Sequence, residues 1–135
     1  MFISKVQKEL FVLDLDRNTY TAESTNVGAL PGGGSFGGQP DQIVQSGTGL
    51  VYFTEEDGSK PGIFTYDGTT WKTLFEADYS DKDETTGVDF SPDGYSLFFC
   101  LQDSGLMFQL RRVDGLPFQG QHVLQWKYDL GRRRY

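Results

Sequence analysis

Asp41-Gln-Ile-Val-Gln-Ser-Gly-Thr-Gly49 and the run after it, Leu50-Val-Tyr-Phe-Thr-Glu-Glu-Asp57, can be laid over Thr86-Gly-Val-Asp-Phe-Ser-Pro-Asp-Gly94 and Ser96-Leu-Phe-Phe-Cys-Leu-Gln-Asp103. Tyr95 is the one inserted residue. The echo continues: Gly62-Ile-Phe-Thr-Tyr-Asp-Gly68 answers Gly105-Leu-Met-Phe-Gln-Leu, and Asp114-Gly115 repeats the turn. Phe53 and Phe99 stand 46 positions apart, and Phe64 and Phe108 stand 44 apart. A period of about 45 residues, built from short alternating strands and Gly turns, is the pattern of β-propeller blades.

Outward from this core, the apolar alternation gives strands near Gln42–Gln45, Leu50–Thr54, Gly62–Tyr66 and Thr70–Phe75 in one blade. In the next blade it gives strands near Val88–Ser91, Ser96–Leu101, Leu106–Arg111 and Val123–Tyr128. Glu9-Leu-Phe-Val-Leu-Asp-Leu-Asp16 and Thr19-Tyr-Thr-Ala-Glu-Ser-Thr25 read as a hairpin that aligns with the third and fourth strands of the later blades. The expected organisation is a half blade over 1–27, a Gly-rich linker over 28–38, blades over 39–83 and 84–130, and a basic tail over 131–135. No segment holds helical periodicity, so the fold class is all-β, a partial β-propeller of about two and a half four-stranded antiparallel blades. Pro92 and Gly94 in Ser91-Pro-Asp-Gly94 preset a tight hairpin. Phe53, Phe64, Phe99, Phe108, Trp71 and Trp126 recur at matching positions and are expected to fill the space between sheets.

The chain has 135 residues. Closed propellers stack four to eight blades, so this length is expected either to be the C-terminal part of a longer protein or to complete its ring with another chain. An open stack exposes an apolar face at each cut surface, which makes partner blades, a partner protein or an oligomer the expected company.

Formal charge is −7, which argues against nucleic acid or an anionic membrane as the main partner. It fits cation binding, but a solvated acidic surface is the first reading. The positive charge gathers in Gly131-Arg-Arg-Arg-Tyr135, a tail that docks on an acidic partner or frays. Cys100 is the single cysteine, so no internal disulfide forms; its apolar run, Leu97-Phe-Phe-Cys-Leu101, reads as a buried thiol. No stretch approaches the length of a membrane span, and the first residues lack the apolar core of a signal peptide. Compartment is therefore unknown from the residues alone.

Two sharper-looking motifs fail. Gly32-Gly-Gly-Ser-Phe-Gly37 satisfies G-x-G-x-x-G, but Pro40 and a strand follow it rather than a helix N-terminus. Asp81-Lys-Asp83 resembles the start of an EF-hand loop, yet Gly87 is one place late and no helix flanks it. His122, the only histidine, lies beside an outer strand and reads as a surface residue.

Propeller strands run up and down, so one end of the ring gathers Gln39-Pro-Asp41, Glu55-Glu56-Asp57, Asp83-Glu84 and Gln102-Asp103. Carboxylate and amide oxygens of this kind suit Ca²⁺, with a solvated acidic rim as the alternative.

At Pro40-Asp-Gln, Tyr52-Phe-Thr-Glu-Glu-Asp, Glu84-Thr-Thr-Gly-Val-Asp-Phe-Ser-Pro-Asp-Gly94, Gln102-Asp103 and Asp114-Gly-Leu-Pro-Phe118 the chain resembles the PhoX-like family. These are β-propeller proteins related to Ca²⁺-dependent alkaline phosphatases, mostly exported. The resemblance runs from roughly Glu9 to Tyr128 and corresponds to the family's C-terminal blades. It implies that Glu84 is a metal-ligating or site-lining carboxylate, with Asp41, Glu56 (or Glu55) and Gln102 as its neighbours. In that family calcium and iron ions hold and polarise a phosphate ester. The iron ligand there is a cysteine of the N-terminal part, so iron is expected only in a complete parent protein, and Cys100 is no substitute. The resemblance thus implies the C-terminal segment of a metal-dependent phosphatase-related protein, exported or in an organelle lumen, that supplies Ca²⁺ ligands without a complete active site. The alternative is a non-catalytic propeller module, a structural or interaction subunit of a larger assembly.

Overall fold

The computed structural model describes residues 8–25, 39–47, 49–55, 61–77 and 83–118, and the backbone of 2–4, 28–29 and 35–36. The elements are β1 (Phe2–Ser4), β2 (Glu9–Asp14), β3 (Thr19–Ser24), β4 (Gly28–Ala29), β5 (Ser35–Phe36), β6 (Pro40–Gln45), β7 (Val51–Glu55), β8 (Gly62–Tyr66), β9 (Trp71–Glu76), β10 (Thr85–Phe90), β11 (Ser96–Leu101) and β12 (Leu106–Arg111). Every ladder is antiparallel. β1-β2-β3 form a first sheet, β6-β7-β8-β9 a four-stranded middle sheet, and β10-β11-β12 a third. This is the all-β partial propeller anticipated above. The Gly-rich linker carries a small ladder of its own, β4 with β5, pairing Gly28 with Phe36 and Ala29 with Ser35. The strand expected over Val123–Tyr128, and Trp126 within it, lie outside the described residues.

The repeat in the sequence is a repeat in register. Phe53 pairs Phe64 and Thr54 pairs Ile63 in the middle sheet. Phe99 pairs Phe108 and Cys100 pairs Met107 in the third. In the first sheet Phe2 pairs Phe11 and Ile3 pairs Leu10, so β1 answers the end of a second strand. Sequence reading gave only the β2–β3 hairpin here. β1 is three residues long, too short to carry an alternation pattern by itself.

Because side chains alternate across a strand, each sheet has two faces. Leu10 projects from the first sheet onto Val51, Phe53, Phe64 and Tyr66 of the middle sheet, with Ile43 and Trp71 at the edge. From the opposite face of the middle sheet, Tyr52 and Ile63 project onto Leu97 and Phe99 of the third, with Phe108 and Leu110 packed against them. Phe53, Phe64 and Phe99 are fully buried, as the recurring aromatic pattern foretold, and Phe99 stacks on Phe108 at 5.2 Å. Burying each such ring stabilises the stack by about 1.5–3 kcal/mol.

A bulge completes the second seam. Ile63 faces Phe75 while Phe64 faces Thr73, which leaves Leu74 as the extra residue. One inserted residue reverses the alternation, so Phe75 turns to the third sheet instead of the first. There it meets Phe99 at 4.7 Å.

Aspartates close the hairpins. Asp14 accepts the N–H of Asp16 and Arg17, Asp67 those of Thr69 and Thr70, and Asp93 that of Tyr95. A carboxylate that mimics a backbone acceptor stabilises a turn, so part of the acidic balance is turn chemistry. Gly68 (φ 96°) and Gly94 (φ 72°) take left-handed conformations in two of these turns, where a Cβ would be strained.

Candidate functional site

The acidic end of the stack is built where β6 and β10 begin. Both inner strands are bulged near their starts: register shifts between Pro40 and Ile43, and again between Thr86 and Asp89. The bulge in β6 turns Gln42 toward the neighbouring sheet. Its Nε2 donates to Thr86 Oγ1 at 2.9 Å, and its Oε1 accepts the Gly87 N–H at 2.7 Å. A bulge frees a ladder group and re-aims a side chain; here the freed Gly87 amide is satisfied by a residue from another sheet. Gly87 (φ 65°) is the residue that permits this turn of the backbone.

One position further in, Thr85 is fully buried between the sheets. Its hydroxyl accepts the Glu55 N–H at 2.9 Å and donates to the Gly62 carbonyl at 2.7 Å, with the Glu55 carbonyl at 3.1 Å. Gly62 has no room for a side chain, since a Cβ there would meet Phe64 Cζ at 2.7 Å and the Phe75 carbonyl at 2.8 Å. Three strands therefore converge on one threonine hydroxyl.

Asp83 sits beside this seam, almost wholly buried. Burial pushes its carboxyl up, but the Ser104 hydroxyl and the Asp103, Glu84 and Ser104 N–H groups outweigh that and hold it below the usual carboxylate range. The amide distances are 2.9 Å from Asp103, 2.8 Å from Glu84 and 3.3 Å from Ser104. Its oxygens thus fasten the β11–β12 turn to the start of β10.

The expected ligands fall around these three residues. Glu84, half-buried, precedes β10, and its carbonyl accepts the Gln102 N–H at 2.9 Å. Gln102 is exposed in the turn after β11, and Asp41 is exposed beside Gln42 in β6. Glu84 and Gln102 are therefore neighbours, with Asp41 on the adjoining inner strand. Glu56 lies outside the described residues; Glu55, before it, is buried. Among the described residues no group of three or more His, Cys, Asp or Glu side chains is arranged to hold a metal ion. Asp41, Glu84 and Gln102 are oxygen donors of the type Ca²⁺ takes.

Sequence reading missed Gln42 and Thr85 as organisers of this end. A signal for Gln42 was available: its two partners are 44 and 45 residues away, one repeat period. Residues one period apart on inner strands are neighbours in a stack.

At the opposite end, Arg111 closes β12 and Arg112 lies just past it, buried. Arg112 Nε donates to Asp114 at 2.9 Å, and its Nη2 makes a second bond to the same carboxylate. Burial pushes the nearby Tyr52 phenol up to about 12, with the Arg112 charge pulling it back only in part. Neither arginine reaches the acidic end. Cys100 is half-buried rather than buried: Leu97, Phe99 and Leu101 turn inward, and alternation places Cys100 on the outer face of the third sheet. Among the described residues no helix is long and apolar enough to cross a membrane.

No protein-family model, curated protein or solved structure matches this chain.

Proposed function

We propose that this chain is a non-catalytic propeller module that works through its sheet faces as a structural or interaction subunit. The observation that carries this reading is the contrast between Ile63, fully buried, and Met107, 69% exposed, at the same register position of two adjacent sheets. A large apolar side chain stands open where the repeat buries its counterpart, and exposed apolar faces mark interaction sites. The acidic end agrees with a structural role: Gln42, Thr85 and Asp83 are engaged in joining strands. A hydrophobic-dye titration of the full chain, diluted until sedimentation shows it to be monomeric, tests the reading. Dye binding that falls on Met107→Glu is expected; a cooperative folded monomer that binds no dye sinks it.

A second reading keeps the PhoX-like expectation, with Asp41, Glu84 and Gln102 contributing to a Ca²⁺ site of a phosphatase-related parent. It is favoured by the Gln102 to Glu84 backbone bond, which sets these residues side by side. Weak Ca²⁺ binding seen by calorimetry and lost in Glu84→Gln supports it; binding unchanged by that substitution removes Glu84 from the site.

A further inference from the structure

Leu10, Ile63 and Met107 hold one register position in three successive sheets, pairing Ile3, Thr54 and Cys100 in turn. Leu10 and Ile63 are both fully buried, each by the sheet that follows it. The receiving positions also correspond. Leu10 lands on Phe64 and Tyr66; Ile63 lands where Phe108 and Leu110 occupy the same places in the next sheet. The chain therefore makes one type of face-to-face contact twice, and Met107 is the donor side of a third.

The receiver for that third contact is also on this chain. Phe64 and Tyr66 correspond to Phe11 and Leu13 in the first sheet, and the Tyr66–Trp71 pair corresponds to Leu13–Tyr20. Tyr66 is 8% exposed because the first sheet covers it; Leu13 is 43% and Tyr20 68% exposed. Among the described residues, one end of the stack thus shows an exposed donor position, Met107, and the other exposed receiver positions, Leu13 and Tyr20, in matching register.

We infer that the partner is a second copy of this chain, docked head to tail, with the Met107 face of one copy on the Leu13–Tyr20 face of the other. This rests on the module reading and adds the identity of the occupant. Two copies bring six such sheets into one stack, within the four to eight at which propellers close. A contact between different faces closes a ring only if its rotation fits. Here the docked contact repeats the residue positions by which the chain already packs its own sheets.

The test uses the full chain at about 100 μM, where even a weak specific contact is populated. Sedimentation velocity and native mass spectrometry are expected to give a dimer for the natural sequence, and monomers for Met107→Glu and for Tyr20→Glu. Both side chains are exposed, so each variant keeps its fold; thermal melts check this, and Met107→Lys serves if Met107→Glu melts early. Mixing the two variants is the decisive step. Each retains the face the other has lost, so an equimolar mixture is expected to recover a one-to-one dimer through a single intact contact. A natural chain that stays monomeric overturns the inference, as do variants that stay dimeric or a mixture that stays monomeric. A monomer that still binds dye through Met107 removes the self-partner and leaves the module reading standing. A monomer that binds none removes both.

Discussion

The middle and third sheets have nearly the same sequence pattern and the same register, yet their outer-facing positions differ completely in burial. In the middle sheet Tyr52, Thr54, Ile63 and Thr65 are all buried. Their counterparts in the third sheet are Phe98, Cys100, Met107 and Gln109; the first two are half-buried and the last two exposed. β7 and β8 are buried at every residue, as strands covered on both faces must be. β12 alternates between half-buried and exposed, as a strand covered on one face does. Burial is set by a sheet's place in the stack as much as by its own residues.

The largest expected effect comes from truncating one position in both sheets. Ile63→Ala should cost about 2–5 kcal/mol, the range for a cavity in a closed core. Met107→Ala should cost less than about 0.5 kcal/mol in the dissociated chain, where its side chain touches little. Urea unfolding of both variants checks this, and equal losses would break the comparison.

Thr85→Val is next. It keeps the volume but leaves the Glu55 N–H and the Gly62 carbonyl without their hydroxyl partner, at about 1–3 kcal/mol. The loss should appear in hydrogen exchange as earlier opening of β10 than of β8. If the two strands open together, the hydroxyl is not what fastens the third sheet to the middle one.

The smallest effect is confined to the third sheet and depends on pH. The folded Asp83 carboxyl titrates below its unfolded value, so folding favours the ionised form. That stability is present above the unfolded value near 4 and is lost as pH falls through the folded one. Asp83→Asn should therefore be less stable than the natural chain at neutral pH, with the gap narrowing below about pH 4. Melts across that range check it; a constant gap would mean the charge contributes nothing.

Of the candidate site, the sequence supplied the chemistry of the residues but not their employment. Asp83 and Glu84 were legible as adjacent oxygen donors; that Asp83 is consumed by the Ser104 turn was not. The 20 and 21 residues that separate these hydrogen-bonding partners match no local pattern and no repeat period.

The sequence by itself determined what depends on near neighbours. Strand positions follow from alternation, hairpins from Asp and Gly in turns such as Ser91-Pro-Asp-Gly94, and the repeat from Phe53 answering Phe99. All of these are set within one blade's length, where propensity and turn chemistry act. Only the tertiary structure decided which face of each sheet is closed, which way the bulge at Leu74 turns Phe75, and that Gln42 and Thr85 hold neighbouring sheets together. Those outcomes depend on what packs across about ten ångströms from another sheet, and a residue's own flanking sequence holds no record of it.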